Sequence, residues 1–391
     1  MRRLNINSSG KYCRQLKIWW QFVLFLLASP CFGDSCENYA FNIKHYDFVI
    51  SDSVIVKEEN SIFFIGDLFI PNLFRIPYES GNIKLRDEFS CTFDDIYPEK
   101  IIFQDKKLIT FGHKNIIKIY NGDTPCLIGP LETDITSAHY DPKHKKLYAG
   151  LQNGVLYIFS FDNFCGSINE KNTIKKAVHI GKINSIIEEG EKIYTGGADG
   201  VINIFDQGSL DNYQTLKFPT GKGISFYDKN SPSVNSLYYC QSNKSLYAAY
   251  GGPLTRKNYP VMWNMSERKP ILLGNNDEHW YVKVLGLEGK YTLFAGQRGN
   301  IKIYSNQTNQ LYWEFNLYKD TFVEKEWKER IHNINDIEYD GEFKSLITTH
   351  GDNFMNLSAV IIWSFNVYEK AINWKGAVVL NDNNVEACTV N

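Results

Sequence analysis

The chain has 391 residues, of which 43% are hydrophobic and 15% aromatic. This apolar content is far above that of a disordered chain, so the sequence can bury a sizeable core. The formal net charge is −2, which excludes the strongly basic character typical of nucleic-acid-binding proteins. Length alone suggests two or three domains, although closed all-β folds often reach this size as a single domain.

The first 33 residues have the features of a secretory signal peptide. They contain five basic and no acidic side chains, and the apolar stretch IWWQFVLFLLA occupies residues 18–28. Small residues then occupy the minus-three and minus-one positions, Cys31 and Gly33, which predicts cleavage after Gly33. This stretch of eleven residues, one of them Gln21, is shorter than the about 20 that a transmembrane helix needs. An uncleaved signal anchor is the alternative, and only in that case is a membrane a partner.

Cleavage changes the charge balance of the mature chain. Residues 34–391 hold 37 basic and 44 acidic groups, a net charge of −7. This balance argues against a nucleic-acid partner and provides no polybasic patch for anionic lipids. The predicted location is therefore extracellular or the lumen of the secretory pathway.

The cysteines and sequons agree with secretion. Six cysteines remain after cleavage, an even number that predicts up to three disulfides in an oxidising compartment: Cys36, Cys91, Cys126, Cys165, Cys240 and Cys388. A bond between Cys36 and Cys388 would join the mature termini, six cysteines allow 15 pairings, and free buried thiols are the alternative. Four candidate glycosylation sites occur in N-x-Ser/Thr sequons: Asn243, Asn264, Asn306 and Asn356.

A short motif recurs along the chain. The stretch IYTGGADGVINIFD at residues 193–206 has an apolar strand, a Gly-rich turn and a second strand that ends on an aromatic residue. Related stretches occupy residues 62–77, 109–121, 148–160, 246–264, 294–305 and 346–364. The copies are spaced 39 to 53 residues apart, a period typical of β-propellers.

Further apolar runs flank each copy and complete a four-stranded unit. We call the strands a to d, with the motif forming b and c. One such antiparallel sheet cannot bury both faces alone, whereas seven in a ring can. The sequence therefore predicts an all-β, seven-bladed β-propeller of four-stranded antiparallel blades.

The b-turn-c pattern resembles the WD40-repeat propellers over about residues 44–372. The family's Trp at the end of strand c is occupied here by Tyr120, Phe159, Phe205, Trp263, Tyr304 and Trp363, with Pro77 in blade one. Its following Asp survives only as Asp206, and its Gly-His before strand a has partial counterparts in His179 and His332. The resemblance thus implies a divergent, secreted member in which most blades cannot form the family's Asp-His-Ser/Thr-Trp network.

The domain boundaries follow from these assignments. Residues 1–33 form the signal peptide, 34–43 an N-terminal strand or lead-in, 44–372 the propeller and 373–391 a C-terminal tail. Residues 38–44 and the Trp374 to Leu380 segment both have the character to complete the last blade, and the sequence does not decide between them.

The sequence contains no recognised catalytic or cofactor motif. It lacks a GxSxG elbow and an HExxH pair, and the eight histidines show no close spacing of the kind metal sites use. The group His350-Gly351-Asp352 is interpreted as a polar turn, and GGADG at residues 196–200 as a hairpin turn that needs a positive φ at glycine. The prediction is a non-catalytic protein with no cofactor and no metal site.

Loop lengths predict which face binds a partner. In a four-stranded meander the b–c turns and the d–a crossovers emerge at one end of the ring, and the longest loops, 66–72, 251–260, 350–358, 218–233 and 318–332, are of these two kinds. Loops on rigid scaffolds often carry recognition, and interface hot spots favour Trp, Tyr and Arg. The candidate partner-binding residues are Phe69, Arg256, Lys257, Tyr259, Trp327, Arg330 and Phe354.

Three functions remain open from the sequence. The first is a secreted or surface-associated protein-binding propeller whose partner is a protein of unknown identity. The second is a secretory-pathway enzyme or lectin-like propeller that uses a central pocket. The third is a membrane-anchored or cytosolic WD40 scaffold, which requires that the N-terminal signal is not cleaved.

Overall fold

The computed structural model describes residues 35–40, 49–67, 72–83, 90–93, 98–120, 125–161, 173–207, 209–211, 213–218, 232–252, 258–274, 280–320, 333–351, 357–381 and 384–389. Within these ranges the chain forms strands arranged in seven antiparallel sheets, and the first strand, β1 (Ser35–Ala40), belongs to the last sheet. Blade one contains β2 (Val49–Val56), β3 (Ser61–Asp67), β4 (Asn72–Glu79), the two-residue β5 (Asn82–Ile83) and β6 (Ser90–Phe93).

The next three blades each have four strands in sequence order. Blade two contains β7 (Pro98–Gln104), β8 (Lys107–Gly112), β9 (Ile117–Tyr120) and β10 (Cys126–Ile128). Blade three contains β11 (Ile135–Asp141), β12 (Lys146–Leu151), β13 (Val155–Ser160) and β14 (Ile174–Ala177). Blade four contains β15 (Ile183–Glu189), β16 (Lys192–Gly197), β17 (Val201–Asp206) and β18 (Tyr213–Lys217).

The last three blades complete the ring. Blade five contains β19 (Ser233–Cys240), β20 (Ser245–Gly251), β21 (Tyr259–Asn264) and β22 (Lys269–Leu272). Blade six contains β23 (Tyr281–Leu287), β24 (Tyr291–Gly296), β25 (Asn300–Ser305) and β26 (Leu311–Asn316). Blade seven contains β27 (Ile334–Asp340), β28 (Ser345–Gly351), β29 (Leu357–Asn366), β30 (Ala371–Asn381), β31 (Asn384–Thr389) and β1. The predicted seven-bladed all-β propeller is confirmed.

Both chain termini add strands to blade seven. Its order is β27, β28, β29, β30, β31 and β1, so the C-terminal segment forms strand d and the N-terminal strand lies outside it as a sixth strand. The expectation that the two segments compete for one edge is therefore wrong. They pair in succession, with Cys36 directly opposite Cys388 in the β1–β31 register.

The motif IYTGGADGVINIFD at residues 193–206 forms the hairpin of β16 and β17. After Lys192, which is half-buried, every residue of β16 is buried. Gly200 in the turn has φ +77°, a left-handed conformation that glycine adopts without steric cost. Gly196 is required by packing, because a Cβ at this position would lie 2.5 Å from Cγ1 of Val234 in the next blade.

The hydrophobic core lies between blades. Seven clusters of buried residues each join two neighbouring blades, as where Ile62 and Phe64 of blade one pack with Val360, Ile362 and Val378 of blade seven. This last cluster closes the ring through side-chain packing. In the part of the chain that the structure describes, no helix has the length and apolarity to cross a bilayer.

Candidate functional site

The seven strands a line the central channel, where neighbouring blades meet along them. Each strand a has a register irregularity near its start, as between Ile50 and Asp52 in β2. The residue directly after it takes the same place in every blade, and in chain order these residues are Asp52, Lys100, Ser137, Ser185, Ser236, Lys283 and Asp336. The irregularity thus sets up a ring of equivalent side chains around the channel.

Side chains of this region connect each blade to the next. Three of the ring residues are directly preceded by an asparagine whose side-chain amide donates to a backbone carbonyl of the following blade. These bonds join Asn184 to Val234 at 2.9 Å, Asn235 to Tyr281 at 2.7 Å and Asn335 to Ile50 at 2.7 Å. In the ring itself, the hydroxyls of Ser185 and Ser236 accept hydrogen bonds from backbone amides of the next blade. These bonds fix the relative positions of the blades at the channel.

Charged residues occupy one side of the ring, in blades six, seven, one and two. We call Asp52, Lys100, Lys283, Asp336 and Glu338 the charged arc. Lys283 Nζ lies 2.7 Å from Asp336 Oδ1 and 3.3 Å from Glu338 Oε1. Lys100 Nζ lies 3.5 Å from Asp52 Oδ1, and the other Asp52 oxygen accepts a hydrogen bond from the Ile101 amide at 2.8 Å. Three carboxyl groups and two ammonium groups therefore share this side of the channel.

Burial shifts the protonation equilibria of the charged arc. Burial raises the pKa of Asp52 to about 7; Lys100 acts in the opposite direction and Asp336 adds to the rise. Burial also raises the pKa of Glu338, against the attraction of Lys283. For Lys283 burial acts to lower the pKa, but the carboxylates of Asp336, Glu338 and Asp52 outweigh it, so the pKa is raised and the ammonium stays charged.

We expect Asp52 to make the stability of the protein fall as pH rises from about 4 to about 7. The native carboxyl titrates near pH 7 and the unfolded one near 3.9, so in this window the native state holds the extra proton. This group therefore contributes stability below the unfolded pKa and loses it as pH rises through the folded pKa.

The Asp52→Asn variant isolates this effect. Its side chain keeps an acceptor for the Ile101 amide but cannot titrate. The free energy of unfolding of the wild type, minus that of the variant, should decrease through the window by at most about 1.4 kcal/mol per pH unit. Urea unfolding of both proteins over this pH range measures the difference, and a difference independent of pH would contradict the assignment.

A cavity opens at one end of the channel, beside the charged arc. It has a volume of about 360 Å³. We call it the channel mouth, and the residues that line it include Ser51, Glu99, Lys100, Trp280, Gln297 and Asn335. Trp280 directly precedes strand β23 and Gln297 directly follows β24. The channel mouth therefore lies on the face of the b–c turns and d–a crossovers.

Of the candidate partner-binding residues, only Tyr259 is described. It is half-buried at the start of β21, with its ring centroid 5.7 Å from that of Phe218. Phe218 in turn packs on Tyr250 at 4.9 Å, so Tyr259 contributes to the packing between blades four and five. Phe69, Arg256, Lys257, Trp327, Arg330 and Phe354 lie outside the described residues.

Three of the four sequon asparagines are described, and all three lie in a–b or c–d turns or at their edges. Asn306 is 5% exposed, and its amide nitrogen donates to Cys240 Sγ at 3.2 Å and Gly289 O at 3.3 Å. The Asn243 amide donates to the Tyr247 hydroxyl and to Asn306 O, both at 2.8 Å. A glycan at either nitrogen would disrupt these bonds. Asn264 uses only its oxygen, which accepts from the Ser266 and Glu267 amides, and Asn356 lies outside the described residues.

The disulfide prediction is wrong for Cys240, which is a free, buried thiol. It ends strand β19, and its sulfur lies 3.1 Å from Ser242 Oγ in the a–b turn. Cys126 is disulfide-bonded to a cysteine whose side chain is outside the described set. Cys91 lies on β6, Cys165 is outside the described residues, and Cys36 and Cys388 are described by their strand register alone.

Blade four contains most of the network that the WD40 resemblance implies. His179 Nδ1 lies 3.1 Å from Asp199 Oδ1, and its Nε2 lies 2.8 Å from Thr195 Oγ1. Three of the four members are therefore present, with Phe205 in place of the Trp. The ring of His179 fits because position 197 is glycine. A Cβ at this position would lie 2.3 Å from His179 Nδ1.

Blade seven forms a related network from its own strands. Trp363 Nε1 donates to Thr348 Oγ1 at 2.8 Å, and His350 Nε2 lies 2.6 Å from the same oxygen. His350 takes the strand position of Gly197 in blade four, so an imidazole reaches the threonine from strand b instead of from the crossover. Burial lowers the pKa of His350 to about 3. The residue is a neutral part of the core rather than part of an exposed polar turn.

The structure also brings together a group of ionisable side chains that the sequence spacing did not reveal. Asp141, His144 and Glu188 each offer a ligand atom, and these atoms lie within 4.8 Å of one another. Asp141 and His144 belong to blade three and Glu188 to blade four. The spacing of the histidines along the chain gave no sign of this group, because His144 meets Glu188 only through the contact between two blades.

The comparisons with known proteins agree with the fold. No family model matches the sequence, and no curated protein sequence matches it either. Among solved structures, a chain of the mitotic checkpoint complex superposes with a TM-score of 0.55 at 11% identity, covering 96% of this chain and 99% of that one. U3-55K gives 0.57 at 10% identity, covering 90% and 98%. The designed protein Ika8 gives 0.54 at 10% identity, covering 89% and 98%.

At such identities the likeness shows the fold alone. The chain is a seven-bladed β-propeller.

Proposed function

We propose that the chain is a non-catalytic protein–protein interaction module that binds a protein partner through the face of the b–c turns and d–a crossovers. The observation that carries this proposal is the channel mouth, which opens on the same face as the long loops. Polar groups and Trp280 line it, and aromatic residues next to polar groups are typical of interface hot spots. A volume of about 360 Å³ suits one or two side chains of a partner.

The charged arc supports a role in selecting the partner. Its carboxylates and ammonium groups lie beside the channel mouth, and Lys100 belongs to both. Charge complementarity contributes mainly to specificity and association rate. We therefore expect the partner to insert a polar or charged side chain rather than an apolar one.

A pull-down with face-specific variants tests the proposal. The partner is captured from extracts with the wild type and identified by mass spectrometry, and binding is then measured with purified partner. We expect Trp280→Ala, Arg256→Ala and Trp327→Ala each to weaken binding, by about 1 kcal/mol or more for a hot-spot residue. Far-ultraviolet circular dichroism and the melting temperature confirm that each variant is folded.

Tyr213→Ala is the matched control. Tyr213 is exposed on β18, the outer strand of blade four, away from the channel mouth. This variant should bind like the wild type. Unchanged binding by all three face variants, or a loss confined to Tyr213→Ala, would contradict the proposed surface.

We also propose that the chain is secreted or enters the lumen of the secretory pathway. The N-terminal segment, the even number of cysteines after cleavage and the sequons at Asn264 and Asn356 support this location. Asn264 is the sequon best suited to a glycan, since its amide nitrogen makes no hydrogen bond among the described residues. N-terminal sequencing and glycopeptide mapping of material secreted by a eukaryotic host test both points, and an intact Met1 terminus would contradict cleavage.

A disulfide between Cys36 and Cys388 belongs to the same proposal. The two residues lie directly opposite each other in the β1–β31 register, a placement compatible with the Cα separations of disulfides. Non-reducing peptide mapping of the secreted protein should recover the linked pair. Recovery of both peptides as free thiols would contradict it.

A second candidate function is ligand binding or catalysis in the central pocket. The observation that favours it is the pKa of Asp52, raised to about 7, since side chains with a pKa near 7 are suited to general acid–base catalysis at neutral pH. Asp52 is only 5% exposed and does not line the channel mouth. Activity or glycan binding lost in Asp52→Asn but kept in Trp280→Ala would favour this candidate over the first.

A further inference from the structure

A second cluster of polar side chains lies at the other end of the channel, between blades three and four. We call Asp141, His144, Glu188 and Gln207 the blade 3–4 cluster. Asp141 ends β11, His144 follows in the a–b turn, Glu188 lies near the end of β15 and Gln207 directly follows β17. These positions place the cluster on the face opposite the channel mouth, so it is independent of the proposed partner surface.

The cluster has the geometry of a cation site. His144 Nδ1 lies 2.7 Å from Asp141 Oδ2, and ligand atoms of Asp141, His144 and Glu188 all lie within 4.8 Å of one another. The amide nitrogen of Gln207 donates to Asp141 Oδ2 and, at 2.8 Å, to Glu188 Oε1. A donor group from the protein thus occupies the place between two carboxylates where a cation would neutralise both.

Besides Gln207, the backbone amide of His144 donates to Asp141 Oδ1 at 3.0 Å, so hydrogen bonds compensate the buried carboxylate in part. Among the described residues, the only ion-pair partner of Asp141 is His144 and the only one of Glu188 is His139, at 3.2 Å. Because the Asp141 side chain is almost fully buried, a carboxylate here without a cation is costly.

An unsatisfied hydroxyl provides a second, independent observation. Tyr148 is fully buried, and among the described residues its hydroxyl has no partner in good hydrogen-bond geometry, its only polar contact of this kind being a looser one with the Gln207 side chain of the cluster. It lies directly opposite His139 in the β11–β12 register, with the two ring centroids 6.3 Å apart, and opposite residues point to the same face of a sheet. The hydroxyl is close enough to Asp141 and Glu188 for their charges to raise its pKa, after burial itself. A buried hydroxyl therefore faces the cluster, and its hydrogen-bonding capacity is not satisfied in good geometry.

From this geometry we propose that the blade 3–4 cluster binds a divalent transition-metal ion, with Zn²⁺ as the best fit, through Asp141, His144 and Glu188. Imidazole and carboxylate are common zinc ligands, and an imidazole favours zinc over magnesium or calcium. Zinc ligands at about 2.1 Å lie about 3.4 Å apart in a tetrahedral site, so the cluster must contract slightly. His144 lies in a turn and is one-third exposed, which lets it move and gives the ion a path from solvent.

The bound ion would join two blades. Asp141 and His144 come from blade three and Glu188 from blade four, so zinc would connect neighbouring blades on the face opposite the partner surface. Gln207 would release the carboxylates when the ion binds. Its role in the metal-free protein is to separate the two negative charges.

Isothermal titration of the untagged full-length protein with ZnCl₂ tests the site. We expect saturable binding of one ion at the cluster and a rise in melting temperature. His144→Ala and Glu188→Gln should each weaken this binding by at least about tenfold, since even the loss of an outer-shell partner commonly costs that much. Asp206→Asn is the matched control. Asp206 directly precedes Gln207, and its carboxylate pairs with Lys192 rather than with the cluster, so this variant should bind zinc like the wild type.

Cobalt substitution identifies the ligands in the same samples. Co²⁺ bound by imidazole and carboxylate shows weak visible bands, whereas thiolate ligation adds an intense charge-transfer band. We expect the first spectrum in the wild type and its loss in His144→Ala. No saturable zinc binding, equal affinity in His144→Ala, or a thiolate band would overturn the proposal.

The Gln207→Ala variant tests whether the ion binds at the position that the Gln207 side-chain amide occupies. It removes the group that separates the carboxylates, so the metal-free protein should melt at a lower temperature, and added zinc should raise its melting temperature by more than in the wild type. A smaller zinc-induced rise would overturn the assignment of the ion to the position that the amide occupies.

Discussion

Replacement of Trp363 by alanine should destabilise the propeller by about 3–5 kcal/mol, the cost of truncating a large aromatic residue in a core. Trp363 is completely buried, and it packs in the cluster that joins blades six and seven. Its indole nitrogen also donates to Thr348, so the variant loses both apolar burial and a buried hydrogen bond. Chemical unfolding at constant pH measures the loss, and a decrease below about 1 kcal/mol would contradict this account of the core.

Phenylalanine substitutions separate the hydrogen bond from the packing. Trp263 takes the same strand position in blade five and is also buried, but Ala248 stands where blade seven has Thr348. Among the described residues, the Trp263 indole nitrogen has no partner in good hydrogen-bond geometry and makes only a looser contact with the Tyr250 hydroxyl. Trp363→Phe should therefore cost about 1 kcal/mol more than Trp263→Phe. Equal costs would show that the Trp363–Thr348 bond contributes nothing measurable.

Replacement of Lys283 by methionine should cost about 3 kcal/mol, at the lower end of the range for breaking a buried ion pair. Lys283 is the shared partner of Asp336 and Glu338, and its side chain is 31% exposed. Methionine keeps most of the volume but leaves Asp336 and Glu338 without the cation that they share. Burial raises the pKa of Glu338, so the loss should be largest at high pH, where Glu338 is ionised, and should shrink as pH falls through this raised pKa.

Lys192→Met is the matched control for this experiment. Lys192 pairs with Asp206 at the surface of blade four, where their side chains are 44% and 60% exposed. Exposed pairs contribute about 0–1 kcal/mol, so this variant should be close to the wild type at every pH. Similar losses in both lysine variants would contradict the special role of the charged arc.

The blade architecture could be predicted from the sequence because each hairpin carries its own local pattern. Apolar strands that end on an aromatic residue, with glycine at the turn, specify strands b and c without knowledge of the rest of the fold. The seven copies of the motif begin at residues 62, 109, 148, 193, 246, 294 and 346, each within three residues of the observed start of strand b. Local turn chemistry and period were sufficient here.

The channel and the blade 3–4 cluster could not be predicted in the same way. The ring from Asp52 to Asp336 depends on the register irregularity in each strand a, which leaves no clear signal in one sequence. Asp141 and Glu188 are 47 residues apart and meet only because equivalent strand ends of adjacent blades lie side by side. A repeat alignment of strands a would have shown the ring, whereas the cluster needs the contact between two blades.

The order of blade seven also could not be settled from local pattern. The strand-like character of both terminal segments was evident, but pattern alone does not say which strand pairs with which edge. The structure resolves this because β30 is eleven residues long and pairs along all of β29, which leaves only its outer edge for β31 and then β1. Strand length and pairing order, rather than composition, decided the outcome.

Anything attached to the N-terminal end of the chain would hold the propeller through strand β1. As the outermost strand of a six-stranded sheet, β1 lies at the rim, away from both the channel mouth and the blade 3–4 cluster. A fusion partner, or an anchor in residues 1–33, would therefore tether the propeller by its rim. In that orientation both flat faces stay open to solution, so immobilisation through the N-terminus should suit measurements of partner binding on one face and zinc binding on the other.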